Sequence, residues 1–94
     1  MKEVYLVSME NKNKAELALK QDELVNRGSI TLKDASALGF EKSGFFIILD
    51  ASEEALKKAA LLLKDLAKKY SKKDKVIKKV EEEEEAAASG FGIS

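Results

Sequence analysis

Five large apolar side chains stand in a row from Phe45 to Leu49, inside the run SGFFIILDASEEALKKA. The row is far shorter than the roughly 18 residues needed to cross a membrane. A strand with one wet face would alternate apolar and polar residues. The run therefore reads as a strand, residues 45–50, that is buried on both faces. That reading sets the main constraint on the fold: each face of the sheet needs a cover.

The chain has 94 residues, enough for one modest core, and is expected to form a single α+β domain, 1–94, with 86–94 as a flexible or covering tail. Hydrophobic residues at 45% and charged residues at 36% describe a globular chain, and a net charge of zero gives no global field toward nucleic acid or an anionic membrane. The opening MKEVYLVSMENKNK lacks the apolar core of a leader peptide, and no cysteine is available for disulfides. The expectation is a cytoplasmic protein with no membrane partner. The Lys/Glu-rich, cysteine-free composition resembles that of heat-adapted proteins, although the absence of proline runs the other way.

Residues 3–9, EVYLVSM, read as a first strand. Asn13 followed by Glu16 matches a capping box, so the first helix is predicted over 14–27, with Leu17, Ala18, Leu24 and Val25 at helical spacing and Gly28 as a left-handed end. SITLKD, 29–34, alternates as a half-exposed strand. Ala35 to Phe40 is ambiguous, and Glu41 to Gly44 reads as a turn. The second helix starts at the Ser52 cap and carries an apolar stripe of Leu56, Ala59, Ala60, Leu63, Leu66, Ala67 and Tyr70.

The last segment, DKVIKKVEEEEEAAASGFGIS, admits two readings. Its Glu and Ala favour helix, but the lysines would then lie toward the N-terminus and Glu81–Glu85 toward the C-terminus, against the macrodipole. The two halves of the chain look like a weak βαβ repeat, and this favours a strand at 75–80. The resulting order βαββαβ predicts a ferredoxin-like two-layer sandwich with an antiparallel sheet. Its first and third strands are central and the more apolar, its second and fourth strands are mixed edges, and both helices lie on one face.

Helices on one face would leave the other face of the central strands bare, with either Tyr5, Val7 and Met9 or Val4 and Leu6 pointing outward. Such a patch invites association. The expectation is a homodimer or higher closed oligomer, with Tyr5, Val7, Phe46 and Ile48 as interface residues.

Catalytic chemistry has few candidates. Histidine and cysteine are absent, which removes the commonest general base, the strongest nucleophile and the usual zinc ligands. No phosphate-loop, dinucleotide or serine-hydrolase motif occurs. The chain is expected to be no enzyme and to need no cofactor. Glu81–Glu85 could offer oxygen ligands to a hard cation, but a solvated charge run balancing the nearby lysines is the reading adopted, with no metal site. In a split βαβ the loops after the first and third strands are expected to leave the same end of the sheet, which brings Ser8, Glu10, Asn11, Lys12 and Asn13 near Asp50, Ala51 and Ser52. Two helix N-termini there would seat a small anionic ligand. The alternative is a single-stranded RNA or DNA binder using the Lys68–Lys79 cluster and Phe45/Phe46.

The run LGFEKSGFFIILDASEEALKKA is similar to the strand–turn–strand–helix passage of bacterial microcompartment shell subunits, with Gly39, Lys42 and Gly44 in similar places. The likeness covers about a quarter of the chain, and MKEVYLVSMENK departs from that family's pattern. What it implies is an oligomeric domain.

Overall fold

The computed structural model describes residues 1–93. Strand β1 (Lys2–Val7) gives way at Ser8 to helix α1 (Met9–Gln21). Ser8 is extended, and its hydroxyl accepts a hydrogen bond from the Asn11 amide at 3.3 Å. That serine N-cap sits directly against the strand, so the helix starts at Met9 rather than at residue 14, and Asn13 is left exposed on it. Ala15 and Leu19 face the core, whereas Leu17 is 58% exposed. The helix stops at Gln21 because the Asp22 carboxylate accepts from the Leu24 and Val25 amides at 3.0 and 3.1 Å. This local bond starts a 3-10 turn, Val25–Arg27, in place of another helical turn. Gly28 is not left-handed: its φ is −88°. It is small because a Cβ there would lie 2.5 Å from the Asp50 carbonyl oxygen.

Strands β2 (Ser29–Asp34) and β3 (Phe45–Asp50) pair antiparallel, from Ser29 opposite Asp50 to Asp34 opposite Phe45. The connection between them folds over the sheet, burying Ala35 and Leu38. Gly44 closes it at a φ of +103°, backed so tightly on the Val7 carbonyl that no Cβ would fit.

Helix α2 (Glu53–Leu62) starts where expected: the Ser52 hydroxyl accepts from the Ala55 amide at 3.2 Å. It ends earlier than its apolar stripe predicts. Ala67–Lys69 form a short strand, β4, with Val7 opposite Ala67, Leu6 opposite Lys68 and Tyr5 opposite Lys69. β1 is nearly all apolar and needs a partner on each side, and that tertiary demand overrides the helix propensity of 66–70. The fourth strand is therefore not 75–80.

Those residues instead belong to helix α3 (Lys73–Ile93), which also includes 86–93; the predicted tail's last residue, Ser94, lies outside the described residues. The macrodipole objection fails on distance. It acts within the first and last turns and involves about 0.3–1 kcal/mol per charge, and a helix running to Ile93 leaves Glu81–Glu85 in its interior. Against it stands the burial of Val76 and Val80, one turn apart on one face, each contributing about 1.5–3 kcal/mol.

The four strands form one antiparallel sheet in the order β2-β3-β1-β4, with β1 and β3 central. One face carries a core of Tyr5, Val7, Ile47 and Leu49 packed with Ala15, Leu19, Leu56, Ala59 and Leu63 from α1 and α2. The other carries a second core of Val4, Phe46 and Ile48 under Val76 and Val80 of α3, with Ala35 and Leu38 beside them. The two-layer expectation is thus corrected to three layers. Phe45 to Leu49 are apolar throughout because helices cover both sides of that strand.

Candidate functional site

β1 and β3 run antiparallel, with Lys2 opposite Asp50 and Val7 opposite Phe45. The segments that follow them consequently leave opposite ends of the sheet. This overturns the expected convergence: Ser8, Asn11, Lys12 and Asn13 lie a strand length, roughly 17–20 Å, from Asp50 and Ser52. An antiparallel neighbour cannot share an exit end with its partner.

Each end has its own cleft. At the Ser8 end, an open cleft of about 360 Å³ is lined by Ser8, Asn11, Ser43, Lys64, Asp65 and Lys68, among others. The α1 N-terminus delivers Ser8 and Asn11, the turn after α2 delivers Lys64 and Asp65, and β4 delivers Lys68. The Asn11 side-chain amide donates to the Leu66 carbonyl at 3.3 Å and so fixes that turn against the helix. Lys64, Asp65 and Ser43 lie outside the residues singled out from sequence; the edge position of β4, which the sequence pattern hid, brings Lys64 and Asp65 there, and the turn before β3 brings Ser43. Lys12 points elsewhere, with its ammonium 4.4 Å from the Phe45 ring centroid. At the other end, a cleft of about 430 Å³ is lined by Arg27, Gly28, Asp50 and Ser52. The Asp50 carboxylate there lies 3.5 Å from the Met1 amino group.

The expected interface residues are covered within the chain. Tyr5 and Val7 lie in the core under α1 and α2, and Phe46 and Ile48 lie in the core under α3. The register also separates them, since Tyr5 stands opposite Ile47 and Leu6 opposite Phe46. Phe45 and Phe46 likewise point to opposite faces, so they form no joint stacking surface.

The lysine cluster is divided too. Glu3 accepts from Lys73 at 2.9 Å and pairs with Lys69 at 2.6 Å. Burial pushes the Glu3 carboxyl up, but the hydrogen bonds and charges of Lys69 and Lys73 outweigh it and hold the group below its ordinary range. The bond to Glu3 in turn raises Lys69. Burial raises the Tyr5 phenol. Hydrogen bonds from Ser36 lower Asp34. On α3, Glu81 pairs with Lys2 at 3.6 Å and Glu83 with Lys33 at 3.5 Å. Among the described residues no cluster of three or more acidic side chains could hold a metal ion, and no helix is long and apolar enough to cross a membrane.

The chain matches no protein-family model, no curated protein and no solved structure.

Proposed function

We propose that the protein is a non-enzymatic binding domain that takes a small anion at the α1 end of its sheet. In this reading residues 2–70 form a ferredoxin-like split βαβ, to which α3 adds a second-face cover. The placement of β1 and β3 between β2 and β4 supports that description. The observation that carries the function is the 360 Å³ cleft itself. It joins the free N–H groups of a 13-residue helix to the hydroxyls of Ser8 and Ser43 and the ammonium groups of Lys64 and Lys68. The opposing Asp65 would favour a ligand that also offers a donor, such as a hydrogen phosphate or a hydroxy acid. The absence of histidine and cysteine supports binding over catalysis. With α3 over the second face, the reading needs no second copy of the chain.

Inorganic phosphate at millimolar concentration, followed by amide NMR shifts, tests this. Saturable shifts at Met9, Glu10, Asn11 and Ser43, weakened severalfold by Lys64→Glu, are expected. Shifts that fail to saturate, or that survive Lys64→Glu unchanged, would overturn the assignment.

A further inference from the structure

The face beneath α3 has a second character besides being apolar. Register places Lys33, Phe46, Leu6 and Lys68 in one row across the sheet, so an aromatic–aliphatic centre is flanked by a lysine on each edge strand. Phe46 is the middle of an aromatic cluster, with the Phe40 ring edge-on at 5.0 Å and the Tyr70 ring at 4.9 Å. Lys2 lies on the same side of β1 as Val4 and Leu6, because alternate residues share a face. Aromatic rings with cations around them are what single-stranded nucleic acids require: bases stack on the rings and phosphates sit on the lysines.

Two of those lysines already hold anions, and both anions come from α3. Glu81 faces Lys2 and Glu83 faces Lys33. Among the described residues the helix is otherwise attached through Val76, Ile77 and Val80, which belong to a different core from the one under α1 and α2, and through Lys73, which donates to the Glu3 carboxylate and the Lys2 carbonyl. An approach remains beside it: an open cleft of about 330 Å³ is lined by Gly39, Phe40, Lys75, Lys78, Lys79 and Glu82, three cations against one carboxylate.

We propose that this sheet face binds a single-stranded nucleic acid, and that α3 closes it by placing Glu81 and Glu83 where the phosphates would sit. The surface shares Leu6 and Lys68 with the anion cleft at Ser8 but is carried by Lys2, Lys33, Phe40, Phe46 and Tyr70, none of which lines that cleft. It also differs from the lysine–phenylalanine pairing expected from sequence, because Lys2 and Lys33 take the place of most of the helix lysines and Phe40 and Tyr70 the place of Phe45.

The test uses the full chain and a fluorescently labelled oligouridylate, read by anisotropy at low and high salt. Glu81→Gln/Glu83→Gln should tighten binding by about tenfold, the order expected when two carboxylates stop competing for two phosphate-binding lysines. Both changed side chains are exposed, so the fold is expected to persist. Adding Lys33→Gln to that variant should remove most of the gain, and the bound complex should lose amide protection along α3 while β1 and β3 keep theirs. Glu53→Gln/Glu54→Gln makes the same charge change on α2 and should tighten nothing. Equal gains in the two double variants, a gain that survives Lys33→Gln, or no gain at all would each overturn the proposal. So would dimerisation of the Glu81→Gln/Glu83→Gln variant without oligonucleotide binding.

Discussion

The two faces of the sheet are covered by different means. Under α1 and α2 the cover comes from two helices, each started by a serine whose hydroxyl accepts an amide proton three residues on. Their starts are set locally, so each begins as a defined element. Under α3 the cover is one long helix without such a serine start, fastened by Val76, Ile77 and Val80 and rimmed by ion pairs to the sheet. The lesson is that one sheet can pair a face whose helices are specified by their own termini with a face whose helix is specified mainly by what it buries.

That comparison is most exposed to attack at Phe46, the largest fully buried side chain and the centre of the α3 face. Phe46→Ala should cost about 3–5 kcal/mol in denaturant unfolding. A cost under about 1 kcal/mol would mean that α3 does not hold that face closed. Leu63, 0% exposed on the other face, is the matching probe. Leu63→Ala should cost about 2–5 kcal/mol. If the first substitution loosens α3 amides ahead of the rest while the second loosens all elements together, the two cores are energetically distinct, as their separate packing implies.

The serine caps sharpen the same contrast at smaller scale. Ser52→Ala and Ser8→Ala should each cost about 0.5–2 kcal/mol. Both should act on the α1/α2 face and leave hydrogen exchange in α3 unchanged. A loss at α3 as large as that at α2 would show that the faces are not separately specified.

The difference between the faces also explains what could be read from the chain. Ser52 and the stripe from Leu56 to Leu63 were legible because a cap and a period are local signals. The apolarity of 45–49 correctly demanded two covers. What failed were the assignments that depend on partners distant in sequence. Ala67–Lys69 has the spacing of a helix and becomes a strand because β1 lacks a neighbour there. Residues 75–80 look like a mixed edge strand and become a helix because Val76 and Val80 fit the bare face. The candidate ligand residues were individually sensible, Ser8 and Ser52 being true caps, but strand direction decides which of them meet. That direction was implicit in the predicted antiparallel sheet, whose neighbouring central strands must exit at opposite ends.

Glu3 ties the two faces together and gives the smallest expected effect. Its side chain shares a cleft with Leu56, Ala60, Glu53 and Lys57 on the α2 side, while its partner Lys73 is the first residue of α3. The folded carboxyl is held below its ordinary value of 4.5 by Lys69 and Lys73. A group whose folded pKa is depressed contributes stability above its unfolded pKa and loses it as pH falls through the folded value. Acidification below about pH 4.5, the unfolded reference for this carboxyl, should therefore release Lys73 and lower the amide protection factors in the second turn of α3. The core under α1 and α2 contains no ionisable side chain except the Tyr5 phenol, which stays neutral throughout that range. Its amides should keep their protection until acid unfolds the whole domain. Glu3→Gln should remove the pH dependence of these protection factors and leave them, at neutral pH, at the low value that acid produces in the parent chain. If acid instead loosens both faces in step, or if the dependence persists in Glu3→Gln, the start of α3 is held by something other than this carboxylate. The contrast between the faces would then rest on Val76 and Val80 alone.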